Sequence, residues 1–219
     1  MTAVYLEAGQ KRVFACAVDW PGWCRAGKNE EQALEALAAY ADRYARVPKQ
    51  AGLKFSPKAD IRFDIVERVA GSGSTDFGVP GVVPALDLEK LTKPEAERLA
   101  TLAEACWAIF DRVVAGAPAE LRKGPRGGGR DRDKIVDHVI GAEAMAYAPK
   151  LGLRLSQPAF DDAKAIAAQR AAISEALRTA AHGRRTKSDP GWPPRYAARR
   201  IGWHVLDHAW EIQDRSEPR

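Results

Sequence analysis

The amino-acid sequence predicts an α+β protein, with a small N-terminal β-β-α-β domain followed by a C-terminal four-helix bundle. The prediction rests on a change of period. Apolar residues alternate in the first third of the chain and recur every three or four positions in the remainder. Where the period changes lies a stretch rich in turn formers, with Gly71, Gly73, Gly78, Pro80, Gly81 and Pro84 among Ser and Thr. The expected division is residues 1–72 for the first domain, 73–91 for a linker and 92–219 for the second.

Val4 and Leu6, then Val13, Ala15 and Ala17, fall on one parity around the turn Ala8-Gly9-Gln10-Lys11, which is the pattern of an antiparallel hairpin. Trp20-Pro21-Gly22-Trp23 punctuates the chain. Asn29 is placed to cap a helix whose Ala33, Leu34, Leu37, Ala38, Ala41 and Tyr44 recur at helical spacing, ending before Pro48 and covering one sheet face. Ile61, Phe63 and Ile65 alternate again and predict a third strand.

In the second half, Thr92 with Glu95 forms a capping-box signature ahead of Leu99, Leu102, Cys106, Ile109 and Val113, a helix ending near Gly116. Ile135, His138, Ala142 and Met145 mark the inward face of a second helix, stopped by Pro149. A third runs from about Phe160 to Ala181 with Gly183 as its cap, and a fourth opens after Pro193-Pro194 and reaches about Arg215.

The composition, 46% hydrophobic and 29% charged, excludes disordered and fibrous classes. No apolar run approaches the ~18 residues of a membrane span, and Met1 to Gln10 lacks the layout of a secretory signal, so no membrane association and a cytoplasmic location are expected. Cys16, Cys24 and Cys106 contain no CxxC pair and predict reduced thiols, with Cys106 in the core. A net charge of +5 suits an anionic substrate or nucleic acid equally and decides neither.

Only four histidines occur, and three fall on helices two and four at inward positions. At about 100° per residue, His204 and His208 differ by about 40°, so their rings share a face one turn apart. His138 lies on the inward stripe of helix two. Packing helix two on helix four brings three imidazoles to one point, as ligands for a divalent metal ion. Three protein ligands leave a position for water or substrate, the arrangement of catalytic sites. Imidazole ligation suits zinc, nickel, copper or iron, with zinc the default. Val205 follows His204, so the Glu of the HExxH protease motif is absent. Glu211 shares the face of His204 and His208, and with Asp207 is a candidate to handle protons or orient a ligating ring; a pair with Arg215 is the bland alternative for Glu211. His182 is read as a helix-end residue. Trp203 and Trp210 point about 100° and 120° away from the pair and are assigned to packing.

A His on the second helix and an HxxxH on the last helix of a four-helix domain resemble the DinB superfamily of bacterial metal proteins, over about Thr92 to Arg215. The resemblance implies that His138, His204 and His208 ligate the metal. It also implies activity of the kind found in that family, a transferase using a low-molecular-weight thiol such as mycothiol or bacillithiol, or a hydrolase. Val18-Asp19-Trp20-Pro21-Gly22-Trp23, Gly27 and the helix start Glu30-Glu31-Gln32-Ala33-Leu34 are similar to the HicB-like antitoxin fold, which implies an accessory or dimerisation module; either resemblance is consistent with a homodimer.

The competing reading is a non-enzymatic interaction module with a structural metal. A third, nucleic-acid binding, would use Arg195, Arg199 and Arg200 with Arg184, Arg185 and Lys187, and ranks last because no reading motif accompanies the charge. The loop holding Arg122, Lys123, Arg126 and Arg130 is Gly-rich but lacks the Walker ending, and is read as a solvated loop.

Overall fold

The computed structural model describes residues 1–55, 61–124, 128–180 and 190–216. It is α+β, with a four-stranded sheet near the N-terminus and helices through the C-terminal part. Strands β1 (Thr2–Ala8) and β2 (Val13–Ala17) form the expected hairpin, with Val4 opposite Ala17, Leu6 opposite Ala15 and Ala8 opposite Val13. One parity, Val4, Leu6, Val13, Ala15 and Ala17, faces the main core; the other, Tyr5, Phe14 and Cys16, packs with Trp203 on the opposite side. Both faces of the hairpin are therefore covered.

A strand that the sequence reading missed, β3 (Cys24–Gly27), pairs antiparallel with β2, so the unit is β-β-β-α-β. Four residues are too few to display alternation. Its turn was legible in hindsight: Trp23 N–H donates to Trp20 O at 3.0 Å, with Pro21 second and Gly22 third at φ 94°, the layout of a type II turn. Across this second hairpin Cys16 and Cys24 face each other as free thiols, Sγ to Sγ 2.8 Å. Cys106 is fully buried.

Asn29 caps α1 (Glu30–Ala39) by accepting from Gln32 N–H, and Ala33 and Leu37 seal the sheet. The helix ends earlier than expected and gives way to α2 (Ala41–Tyr44) and α3 (Arg46–Gln50). Pro48 lies inside α3, not beyond it. It occupies the first turn, where its missing N–H has no intrahelical partner to lose. β4 (Phe63–Ala70) then returns parallel to β1, giving the order β3-β2-β1-β4.

Residues 73–91 contain α4 (Gly73–Phe77) and a 3₁₀ turn (Ala85–Leu88). This segment is tied to the sheet through buried Glu7, which accepts from Thr75 Oγ1 and from the N–H groups of Gly81 at 2.9 Å and Val82 at 3.1 Å. It is tied to the last helix through the buried pair of Asp87 and Arg199. The main core runs through both halves, with Leu6, Leu37 and Tyr44 joining Leu102, Phe110, Ile201 and Leu206.

The expected capping box opens α5 (Lys93–Gly116), Glu95 Oε2 accepting from Thr92 N–H at 2.7 Å. α6 (Arg132–Gly141) continues as a π-helical turn (Ala142–Tyr147) and a 3₁₀ turn that takes in Pro149. Met145, expected inward, is 65% exposed. The wider π turn rotates the register, so that Glu143, Ala144 and Tyr147 are buried in its place. α7 (Ala163–Thr179) starts after Asp162, whose carboxylate accepts from Ala165 N–H. The predicted cap Gly183 and its neighbour His182 lie outside the described residues.

α8 (Pro194–Ser216) packs against α5, α6 and the sheet side at once. From Tyr196 to Leu206 all its residues but Arg200 are buried. The loop after β2 lies directly on it. A Cβ on Gly22 would come within 2.6 Å of Leu206 Cδ1, and one on Gly202 within 3.0 Å of Gly22 N. No helix among the described residues is long and apolar enough to cross a membrane.

Gly22→Ala adds both that clash and the cost of a left-handed non-Gly residue. The variant is expected to lose about 2 kcal/mol and roughly 5 °C of melting temperature, measured by denaturant and thermal unfolding followed by circular dichroism.

Candidate metal centre

His138 on α6 and His204 and His208 on α8 converge, with one potential ligand nitrogen or another from each ring all within 4.8 Å of one another. The i,i+4 pair shares a face as the angular count required, their ring centroids 4.7 Å apart; His138 sits 5.1 Å from His204 and 5.0 Å from His208. Nε2 of His138 and Nε2 of His204 are 3.2 Å apart. Two imidazole nitrogens bound to one zinc in a tetrahedron would be roughly 3.3 Å apart, given Zn–N of about 2.0–2.1 Å. The present spacing of this pair therefore fits a shared cation.

The protonation of the cluster fits as well. Burial, then the nearby Arg130 charge and the His208 ring, pushes His138 down to about 4. Burial first, then His208 and Arg200, also lowers His204, which is 6% exposed. Both rings are thus neutral at pH 7 and keep a lone pair for a metal. The remaining nitrogen of His204, Nδ1, is buried without a hydrogen-bond partner.

Glu211 lies 2.8 Å from His208 Nδ1 through one oxygen and 2.7 Å from Arg215 through the other. The hydrogen bond to His208 is the main reason its carboxyl is held below the usual carboxylate range. An ionised Glu211 accepts the Nδ1 proton of His208, a contact of the kind that orients metal-ligating histidines. The contacts of Glu211 to His208 and to Arg215 thus coexist. Asp207 is placed elsewhere. It pairs with Arg25 of β3 at 2.8 Å, and Arg25 in turn lies over the rings of Tyr40 and Trp210. An aspartate one residue before His208 points about 100° away from it, toward the sheet.

The π turn delivers Tyr147 to the cluster, 5.5 Å ring to ring from His204, and Trp203 lies 6.2 Å from the same ring. Trp203 also meets Phe14 edge-on at 6.1 Å and Trp210 meets Tyr40 at 4.9 Å, the packing roles expected of them. Sequence reasoning missed Tyr147, because nothing in the pattern marks a π turn. It also missed Glu143 in that turn, fully buried and pushed up to about 7 by burial, accepting from Trp107 Nε1 at 2.6 Å and Gln169 Nε2 at 3.2 Å.

The arginines of α8 are turned inward. Arg195 pairs with Glu95 and Arg199 with Asp87, while Arg200 stacks over Trp203 and Tyr147. Lys123 pairs with Asp131, and Arg122 donates to Asp214 O. Gly129, at φ 116°, lets the loop approach Arg215, to which a Cβ would come within 2.6 Å. Arg126, Arg184, Arg185 and Lys187 lie outside the described residues.

The depressed histidines set a pH dependence. Folded His138 binds its proton only near pH 4, whereas the unfolded ring does so near 6.5. Between those values the unfolded chain holds more protons, so this contribution is complete above pH 6.5, falls as the pH falls, and is lost by about pH 4. The metal-free protein should lose stability across that window in urea titrations, and His138→Asn should flatten the slope. Comparison with protein-family models, with curated proteins and with solved structures finds no match.

Proposed function

We propose that the protein binds one divalent metal ion through His138, His204 and His208, on a DinB-like four-helix bundle, and acts on a small molecule at the coordination position the three rings leave open. The observation that supports this most is the meeting of three ring nitrogens from two helices, with the outer nitrogen of His208 held by Glu211. Zinc is the expected ion, with nickel or iron as alternatives of the same ligand chemistry. Such an ion, when bound, acidifies a water or thiol at neutral pH.

The chain's own residues supply the rest. Burial keeps His138 and His204 neutral, Glu211 fixes the ring of His208, and Tyr147 and Trp203 wall the cluster. The reaction class, transfer to or from a low-molecular-weight thiol or a related hydrolysis, follows from the DinB-like resemblance. In this reading the HicB-like sheet is an accessory unit that braces α8 from the side away from the histidines.

Elemental mass spectrometry on protein purified without a metal-affinity tag should find about one ion per chain, with little left in His204→Ala. Glu211→Gln should keep the site but weaken metal affinity by roughly 10–100-fold. The metal-loaded protein should then turn over electrophiles only when a low-molecular-weight thiol is present. Stoichiometric metal whose removal lowers the melting temperature, without thiol-dependent turnover across a broad electrophile panel, would overturn the enzymatic part and leave a structural ion.

A further inference from the structure

Among the described residues, five arginines carry a side-chain nitrogen that is buried without a hydrogen-bond partner: Arg25, Arg170, Arg199, Arg200 and Arg215. Four of them direct another nitrogen to a carboxylate, Arg25 to Asp207, Arg170 to Asp111, Arg199 to Asp87 and Arg215 to Glu211. Arg200 differs. Its guanidinium makes neither a hydrogen bond nor an ion pair among the described residues, and its Nη1 is the buried atom. Its charge reaches Glu7 without forming an ion pair, and a partly buried cation with no direct carboxylate partner is costly, so folds seldom retain one without use for it.

Its position suggests that use. Arg200 stands one turn before His204, so Arg200, His204 and His208 form a single i,i+4,i+8 stripe along α8. The guanidinium carbon lies 4.6 Å from the Trp203 ring and 5.3 Å from that of Tyr147, the two rings that flank His204. Stacking on ring faces fixes the plane of a guanidinium while leaving its edge free for in-plane bonds to a carboxylate. Nearby acids are already committed. Glu7 is filled by Thr75, Gly81 and Val82, and Glu211 by His208 and Arg215. The charges of Arg200 and Arg130 both reach His204, and with a divalent ion bound they would make a positive site, which selects an anion.

We infer that Arg200 anchors a carboxylate-bearing substrate whose other end occupies the open position at the metal, an inference that rests on the metal-site reading above. The ligand class is a small molecule with a carboxylate at one end and a metal-seeking group, carboxylate or thiolate, at the other. Arg200 is a binding residue in this assignment, and it neither ligates the metal nor transfers a proton.

The test uses cobalt-loaded protein, whose visible absorption reports ligand entry at the metal. Acetate, which offers one carboxylate, is titrated beside succinate and glutarate, which offer two. Wild type should bind the better dicarboxylate about tenfold or more tighter than acetate, the scale of one charged hydrogen-bonded contact. Arg200→Gln should bind acetate as before and lose that advantage, with one cobalt per chain retained. If Arg200→Gln fails to fold or to hold cobalt, Arg200→Lys replaces it and should retain the charge but only part of the advantage. No dicarboxylate advantage in wild type, or an equal one in the variants, would overturn the inference while leaving the metal site standing. Failure of wild type to take up cobalt would instead overturn the metal reading beneath it.

Discussion

The packing of α8 on every side is the constraint on which the rest of the structure depends. A surface helix needs one apolar stripe, but from Tyr196 to Leu206 this helix buries all but one of its residues, so it must be enclosed by several elements at once. The sheet meets it through Phe14 and Trp203, and α5 and α6 both pack against it. Close approach is possible because Gly202 meets Gly22 with no side chain between them. Arg199 in this shell is held by Asp87 and by Val18 O, the latter at 3.0 Å.

Enclosure also gives the histidines their chemistry. An exposed HxxxH on a helix would titrate near its ordinary value and compete weakly for a metal. Here burial lowers both His138 and His204, so each offers a lone pair at neutral pH. Glu211 does the complementary work at the exposed end, fixing which nitrogen of His208 faces the other rings. The π turn after α6 is part of the same arrangement. By shifting the register it removes Met145 from the interior and brings in Tyr147 beside His204. The same neighbourhood holds Arg200, a partly buried cation whose Nη1 has no hydrogen-bond partner.

Features set by local pattern were legible in the sequence. The parity of Val4, Leu6, Val13, Ala15 and Ala17 gave the hairpin and its inward face, and Thr92 with Glu95 marked the start of α5 to the residue. The angular relation of His204 and His208 follows from helix geometry alone, and the inward stripe containing His138 supplied the third ring. What was not legible depends on partners distant in sequence or on irregular backbone. β3 is too short for a period, and its Cys24 meets Cys16 only because a tight turn at Pro21-Gly22 folds the strand back. Asp207 pairs with Arg25, a partner 182 positions away that no local pattern points to. The π turn has no residue signature, so a regular 3.6-residue count carried Met145 inward when the chain turns it out.

The central claim is that three imidazoles share one metal ion. X-ray absorption at the metal edge reads that shell directly on protein as purified, without choosing a substrate. The account predicts a first shell containing about three imidazole nitrogens at roughly 2.0–2.1 Å for zinc, with the outer-ring scattering typical of histidine, and one or two further ligands from water or a bound small molecule. An oxygen-only shell, a shell with sulfur in place of the imidazoles, or an imidazole shell unchanged in His138→Ala would contradict it.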